Sequence, residues 1–164
     1  MAWQSTKPRR IQKGDGGACM KIALAADHGG FELKEALKER LKEIGHEVKD
    51  YGTFSKDLCD YPDFAKNVAV SIRKKESEKG ILICRNGIGM SIAANRFQNI
   101  RAVTCFDTDL AKSSRFHDDT NVLCLGADML NINKALKISS VWLSSPFDNN
   151  ERRLRRINKM DDLI

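Results

Sequence analysis

The chain has 164 residues, 41% hydrophobic and 30% charged, with a formal net charge of +6. That length supplies the core of one globular domain. Apolar runs as short as those at 81–84 and 121–125 fall far below the roughly 20 residues that a membrane-spanning helix needs, so the sequence reads as a soluble protein. The positive charge gathers at the two ends, in Lys7, Arg9, Arg10 and Lys13 and in "ERRLRRINK" at 151–159, where it suits a small phosphate as well as nucleic acid.

Residues 1–19 lack the apolar centre of a secretory signal and show neither helical nor strand period, so they read as a disordered extension. Met20 opens the natural start of a single domain, 20–164. Lys21 to Ala26 form a first strand, followed by "DHGG" and a helix in which Phe31, Leu33, Leu37, Leu41 and Ile44 recur at near-helical spacing, with Gly45 at its end. "HEVKDYG" at 46–52 is a second strand with Val48 inward. Asp60 and Pro62 mark the start of a helix that places Phe64, Val68 and Ile72 on one face and ends at Gly80. "ILIC" at 81–84 is the third strand and "SIAANRF" at 91–97 a short helix. "IRAVTCF" at 100–106 and "NVLCLG" at 121–126 are the fourth and fifth strands, each followed by a helix, "TDLAKSSRFH" and "NINKALKISSVWLSS". The basic tail reads as helical.

Strands alternating with helices imply crossover connections and therefore a parallel sheet. The expected fold is α/β, a three-layer Rossmann-like domain with a five-stranded parallel sheet and helices on both faces. Ligands in such sheets gather outside the carboxyl ends of the strands. The candidates there are Asp27 and His28, Tyr51, the stretch from Cys84 to Gly89, Asp107, and Gly126 to Asp128.

"RNGIG" joins a strand to a helix of small residues, where backbone N–H groups can converge on an anion. It lacks the lysine and hydroxyl residue of a nucleotide phosphate loop, and an ordinary tight turn has the same spacing. Cys84 stands at the junction, where a helix dipole would favour a thiolate, as would the neighbouring Arg85 unless it simply points to solvent. A buried small hydrophobe is the alternative, as it is for Cys105 and Cys124, which read as core. His28 follows the first strand among glycines that permit close approach to a ligand. His117 precedes the fifth strand, at the opposite end from the ligand edge, so it meets Cys84 only if a neighbouring subunit delivers it. Arg152 and Arg156, at i and i+4, share a helix face and suit a phosphate dianion, although a solvated basic tail has the same pattern. Five cysteines without a CxxC pair give neither a zinc site nor a disulfide framework, and a reducing cytoplasm fits them.

Taken together, "ALAADHGGFELKEAL", "DYPDFA", "ILICRNGIGMSIAANR", "IRAV", "FHDDTNVLCLG" and the closing arginines resemble the type B ribose-5-phosphate isomerases, a family that includes galactose-6-phosphate isomerase subunits. The resemblance runs from Met20 to about Met160. It implies an aldose–ketose isomerase of the pentose phosphate pathway, interconverting ribose 5-phosphate and ribulose 5-phosphate through a cis-enediolate with no metal or organic cofactor. It also implies a homodimer, or a dimer of dimers, with active sites shared across the interface. The short apolar runs give no membrane partner, and a sugar phosphate is expected as the ligand ahead of nucleic acid. By position, Cys84 matches the base that takes the C2 proton. Some relatives use a glutamate six residues later, where this chain has Met90. His117 matches the residue that assists ring opening, and Asp27, His28 and Tyr61 match substrate-lining positions. Arg152 and Arg156 match the phosphate-binding arginines. Gly87, Gly89 and Ser91 would bring backbone N–H groups to the enediolate.

Two motifs depart from the family pattern. The usual Cys-Gly-Thr/Ser-Gly turn is Cys84-Arg85-Asn86-Gly87 here, where Asn86 can donate a hydrogen bond in place of the hydroxyl. The usual His-Asn-Asp is His117-Asp118-Asp119, and the expectation is that Asp118 is turned aside or paired with an arginine. A hexose 6-phosphate isomerase and a catalytically silent sugar-phosphate or nucleic-acid binding protein are the competing functions.

Overall fold

The computed structural model describes residues 18–163; the extension expected at 1–19 therefore lies, up to residue 17, outside the described residues. In chain order the elements are β1 (Lys21–Ala26), α1 (Phe31–Glu43), β2 (Glu47–Asp50), α2 (Tyr61–Arg73), β3 (Lys79–Cys84), α3 (Ile88–Ala94), β4 (Ala102–Thr104), α4 (Thr108–Asp118), β5 (Val122–Gly126), α5 (Ile132–Ser144) and α6 (Glu151–Asp161). The five strands make one parallel sheet in the order β2-β1-β3-β5-β4. Strand order reverses between β1 and β3, and the ends of these two strands form the crevice where such sheets bind ligands.

Alternation along the central strands sorts the core into two layers. Ile22, Leu24, Ile81, Ile83, Leu123 and Leu125 face α1, α4 and α5, whose Leu37, Leu41, Ala111, Ile138 and Trp142 cover them. Ala23, Ala25, Leu82, Cys84 and Cys124 face α2 and α3, through Ala65, Val68, Ala69, Met90 and Ala94. Small residues dominate that second layer, which lets α2 and α3 lie close to the sheet. Strand β4 closes one edge, and the Asn95 side chain occupies its outer side, donating to the Ala102 carbonyl at 2.8 Å and accepting from the Ala102 N–H at 2.7 Å. The amide substitutes for a neighbouring strand and blunts the edge.

The expected fold class holds, with shifts at element ends. The second helix stops at Arg73 rather than Gly80, because Lys75 takes a left-handed φ of 59° and Gly80 lies inside β3. The third helix starts at Ile88, not Ser91, since Gly87 at φ 78° turns the chain straight into it. The fourth strand is only Ala102–Thr104, so Cys105 lies just past it, though fully buried as expected.

Candidate active site

Cys84 ends β3, 5% exposed, facing α2 and α3. Its sulfur accepts the Gly87 N–H at 3.1 Å, so the turn folds back on the thiol. The register pairs Ala26 with Ile83, and the Asp27 N–H continues the ladder to the Ile83 carbonyl at 3.1 Å. Asp27 therefore stands beside Cys84. One of its carboxylate oxygens accepts the Gly30 N–H at 3.0 Å, which fixes the loop into α1. His28 comes next, its Nδ1 within 3.3 Å of both the carbonyl and the N–H of Cys59. Two residues beyond Cys59, Tyr61 opens α2, and its ring lies on Gly89: a Cβ there would stand 2.8 Å from the ring. Asp27, His28, Tyr61, Cys84, Asn86, Gly87 and Gly89 thus form one constellation at the switch point.

The turn itself differs in detail from the expectation. The Asn86 side-chain oxygen accepts the Ile88 N–H at 3.0 Å, leaving its amide nitrogen to donate outward. Ser91 donates its hydroxyl to the Ala102 carbonyl at 3.3 Å and its N–H to the Gly87 carbonyl at 3.1 Å. Ser91 therefore braces β4 and the helix instead of facing the crevice. Of the N–H groups from Gly87 to Ser91, those of Gly89 and Met90 have no partner among the described residues.

Arg85 does not stand beside the thiol. It continues the alternation of Ile81 and Ile83 onto the α1 and α5 face, opposite Cys84. Its stem lies over Gly29, where a Cβ would come 2.7 Å from Arg85 Cγ, and its guanidinium is 3.6 Å from Asp128, both groups exposed. Two other residues of the ligand edge have structural duties. Tyr51 turns its hydroxyl to Ser71 at 2.9 Å, and Asp107 caps α4 by accepting the Leu110 N–H at 2.7 Å. Burial pushes the Cys105 thiol up to about 12 and the Cys124 thiol well above its ordinary value, which keeps both protonated in the core.

A second group gathers at the other end of the sheet. Gly80 pairs with Val122 and Cys84 with Gly126, whereas His117 precedes Val122 at the end of α4. The strand between them separates His117 from Cys84 by roughly 13 Å along the sheet axis, four residues at about 3.3 Å each. Arg152 and Arg156 are exposed on α6, and α6 docks on the same end of α4, through Arg153 to the Phe116 carbonyl at 2.9 Å. Asp118 is exposed and has no ion pair among the described residues, so of the two expectations it is turned aside and not paired with an arginine; Arg101 and Arg115 pair with Asp119, at 3.0 and 2.6 Å. A cleft of about 510 Å³ opens at this end between β4, α4 and the end of α6, and Cys84 is not in its wall. Sequence reasoning missed Arg153, which lies inward beside His117. The signal for it was Ile157, the buried residue of α6 four positions on.

A family profile described as Ribose/Galactose Isomerase matches residues 22–160. The chain is 43% identical over 135 residues to ribose-5-phosphate isomerase B of Escherichia coli (strain K12), covering 82% of this chain and 91% of that protein. It is similar to the crystal structure of a Thermotoga maritima ribose 5-phosphate isomerase, with TM-score 0.86, 46% identity and coverage of 88% of this chain and 99% of that one. It is similar as well to ribose-5-phosphate isomerase B of Mycoplasma genitalium with bound ribulose-5-phosphate, with TM-score 0.82, 36% identity and coverage of 87% and 94%.

Proposed function

We infer that this chain, which belongs to the ribose/galactose isomerase family, is an aldose–ketose isomerase that interconverts ribose 5-phosphate and ribulose 5-phosphate through a cis-enediolate. The observation that carries the reading is Cys84 at the switch point, its sulfur held by the Gly87 N–H and flanked by Asp27, His28 and Tyr61. Proton transfer between C1 and C2 needs a base placed over the carbon and donors for the oxygen that gains charge. In this reading Cys84 takes the C2 proton and the electron pair moves through C1 to O1; the O2 proton then passes to O1, and the carbon proton returns at C1 as C2=O2 forms. The unpartnered N–H groups of Gly89 and Met90 and the free amide of Asn86 face the developing charge. Asp27, His28, Tyr61, Gly87 and Gly89 line the sugar, and the Ser91 hydroxyl supports the turn from behind.

His117, Asp118, Arg152 and Arg156 complete the site from a second copy of the chain, because one copy holds them at the wrong end of the sheet. His117 assists furanose opening, and the two arginines bind the phosphate, which fixes the far end of the substrate and so contributes to rate. The functional unit is a homodimer of the domain 20–164, working without a cofactor. Free thiols at all five cysteines suit a cytoplasmic location, and no described helix is long and apolar enough to cross a membrane.

The test is a coupled isomerase assay on ribose 5-phosphate, with galactose 6-phosphate in parallel and Cys84→Ala as control. Turnover of the pentose phosphate by the wild type and a loss of about 10²–10⁴-fold in Cys84→Ala are expected. Full activity in Cys84→Ala would overturn the role of the thiol, and an inert wild type would leave a binding protein. Light scattering on the eluted protein is expected to give the mass of two chains.

A further inference from the structure

Arg153 is the one arginine of the closing cluster that is not exposed: it is half-buried, with only 11% of its side chain accessible. Its guanidinium lies over the Phe116 ring at 4.8 Å, and the Phe116 and His117 rings meet edge to face at 5.2 Å. Nη1 donates to the Phe116 carbonyl at 2.9 Å and also faces His117 Nδ1. Nε stands 3.1 Å from Asp148, in ion-pair reach though not aligned as a hydrogen bond. The Asp148 N–H returns to the same Phe116 carbonyl at 3.1 Å, and Asn150 caps α6 by accepting the Arg153 N–H at 3.0 Å. Side chain and backbone of Arg153 are thus both pinned, and its position does not depend on solvent contacts.

A guanidinium has donors and no acceptor. The His117 nitrogen that faces it must therefore offer a lone pair, which in a neutral imidazole leaves the proton on the other nitrogen. That nitrogen, Nε2, is turned away from Arg153. We propose that Arg153 is a positioning residue that fixes His117 in the Nε2–H tautomer and so makes it a hydrogen-bond donor to the sugar. The catalytic consequence rests on the isomerase reading. As a furanose opens, the C1–O4 bond breaks with its electron pair on O4, and the C1 hydroxyl loses its proton as C1=O1 forms. Nε2–H protonates O4, and the imidazole regains its proton, through water, from the one that the C1 hydroxyl releases. Ribulose 5-phosphate has no free hydroxyl able to close a five-membered ring on C2, so turnover from that side starts with an open chain.

The tautomer is read without turnover, from long-range proton–nitrogen correlations of the imidazoles in ¹⁵N-labelled full-length protein. The chain has three histidines, and the signals of His117 are those that vanish in His117→Asn. The wild type is expected to show a bare Nδ1 and a protonated Nε2. Arg153→Met is expected to release the ring into a mixture of tautomers, and Arg153→Lys, which keeps a donor, to restore the wild-type pattern. A protonated Nδ1 in the wild type, or an unchanged pattern in Arg153→Met, overturns the proposal. In the assay, Arg153→Met is expected to lower kcat/KM from ribose 5-phosphate about tenfold, with a clearly smaller loss from ribulose 5-phosphate and partial rescue by Arg153→Lys. Equal losses from both sugars overturn the ring-opening role. An inert wild type defeats the isomerase reading while the tautomer result stands or falls on the spectra.

Discussion

The Gly87 N–H points at the Cys84 sulfur across 3.1 Å, inside a turn that only glycine closes. Gly87 has φ 78°, and a Cβ there would come 2.9 Å from Thr104 and 3.1 Å from the Leu125 backbone. The close approach and the left-handed backbone have one result: a donor aimed at the sulfur that carries charge when it leaves a proton behind. Gly87→Ala is expected to cost about 1–2 kcal/mol of stability from the backbone alone. With the donor displaced, kcat is expected to fall about tenfold. Thermal melts and steady-state kinetics check both, and a variant with full kcat would show that the donor is dispensable.

Asp118 carries its charge into solvent with no arginine to neutralise it among the described residues, and in the dimeric reading it faces the enediolate of the neighbouring copy. Asp118→Asn removes that repulsion and adds an amide donor. The expected result is kcat/KM equal to or above the wild type. A fall of about tenfold or more would mean that the carboxylate itself takes part.

Lys34 is fully buried, yet charged partners surround it: its Nζ reaches both Asp50 oxygens at 2.8 and 2.7 Å and Glu35 at 2.7 Å. Asp50 in turn accepts the Gly52 N–H at 2.9 Å, and Gly52 and Thr53 bond to Ala26 beside Asp27. Lys34→Met leaves Asp50 with Lys38 alone and is expected to cost about 3 kcal/mol, the lower end for breaking a buried pair. Burial by itself would raise the Asp50 carboxyl, but the hydrogen bonds from Lys34, Lys38 and Gly52 outweigh it and hold it below its ordinary value of 3.8. A depressed carboxyl stabilises the fold above its unfolded value and stops doing so as pH falls through the folded one. Tm should therefore drop below about pH 4 more steeply in the wild type than in Lys34→Met.

Lys79, at the start of β3, shows the opposite sign. Burial and then the Arg115 charge push its ammonium down to about 8, against the pull of Asp119, whereas the unfolded chain titrates near 10.5. The unfolded state binds more protons between those values, so stability rises with pH across that window. Lys79→Met is expected to stabilise the protein at pH 7 by up to about 3 kcal/mol, an advantage that shrinks from pH 8 to 10.5. A melt series over that range reads the effect, and a destabilised variant at pH 7 would refute it.

The α/β architecture was legible because it depends on local periods. Alternating apolar runs such as "ILIC" and the helical spacing of Leu33, Leu37 and Leu41 are set by backbone geometry within a few residues. The same holds for Cys84: the end of an apolar run before a glycine turn is a strand end, and strand ends share one edge in a parallel sheet. Three-dimensional placement decided the rest. Arg85 follows Cys84 in the chain but faces the opposite layer, since successive strand residues alternate. Asp119, and not Asp118, took the arginines because the chain turns at Asp119 with φ 44° and aims its carboxylate at Arg101 and Arg115, which come from different elements. Arg153 was indistinguishable from its neighbours in "ERRLRR" until the phase of α6, fixed by Ile157 packing inward, turned it toward His117. The sequence by itself determined which elements form and which edge carries the thiol, because short-range sterics and burial dictate both. Only the tertiary structure decided which charges meet, because that depends on contacts between segments far apart in the chain.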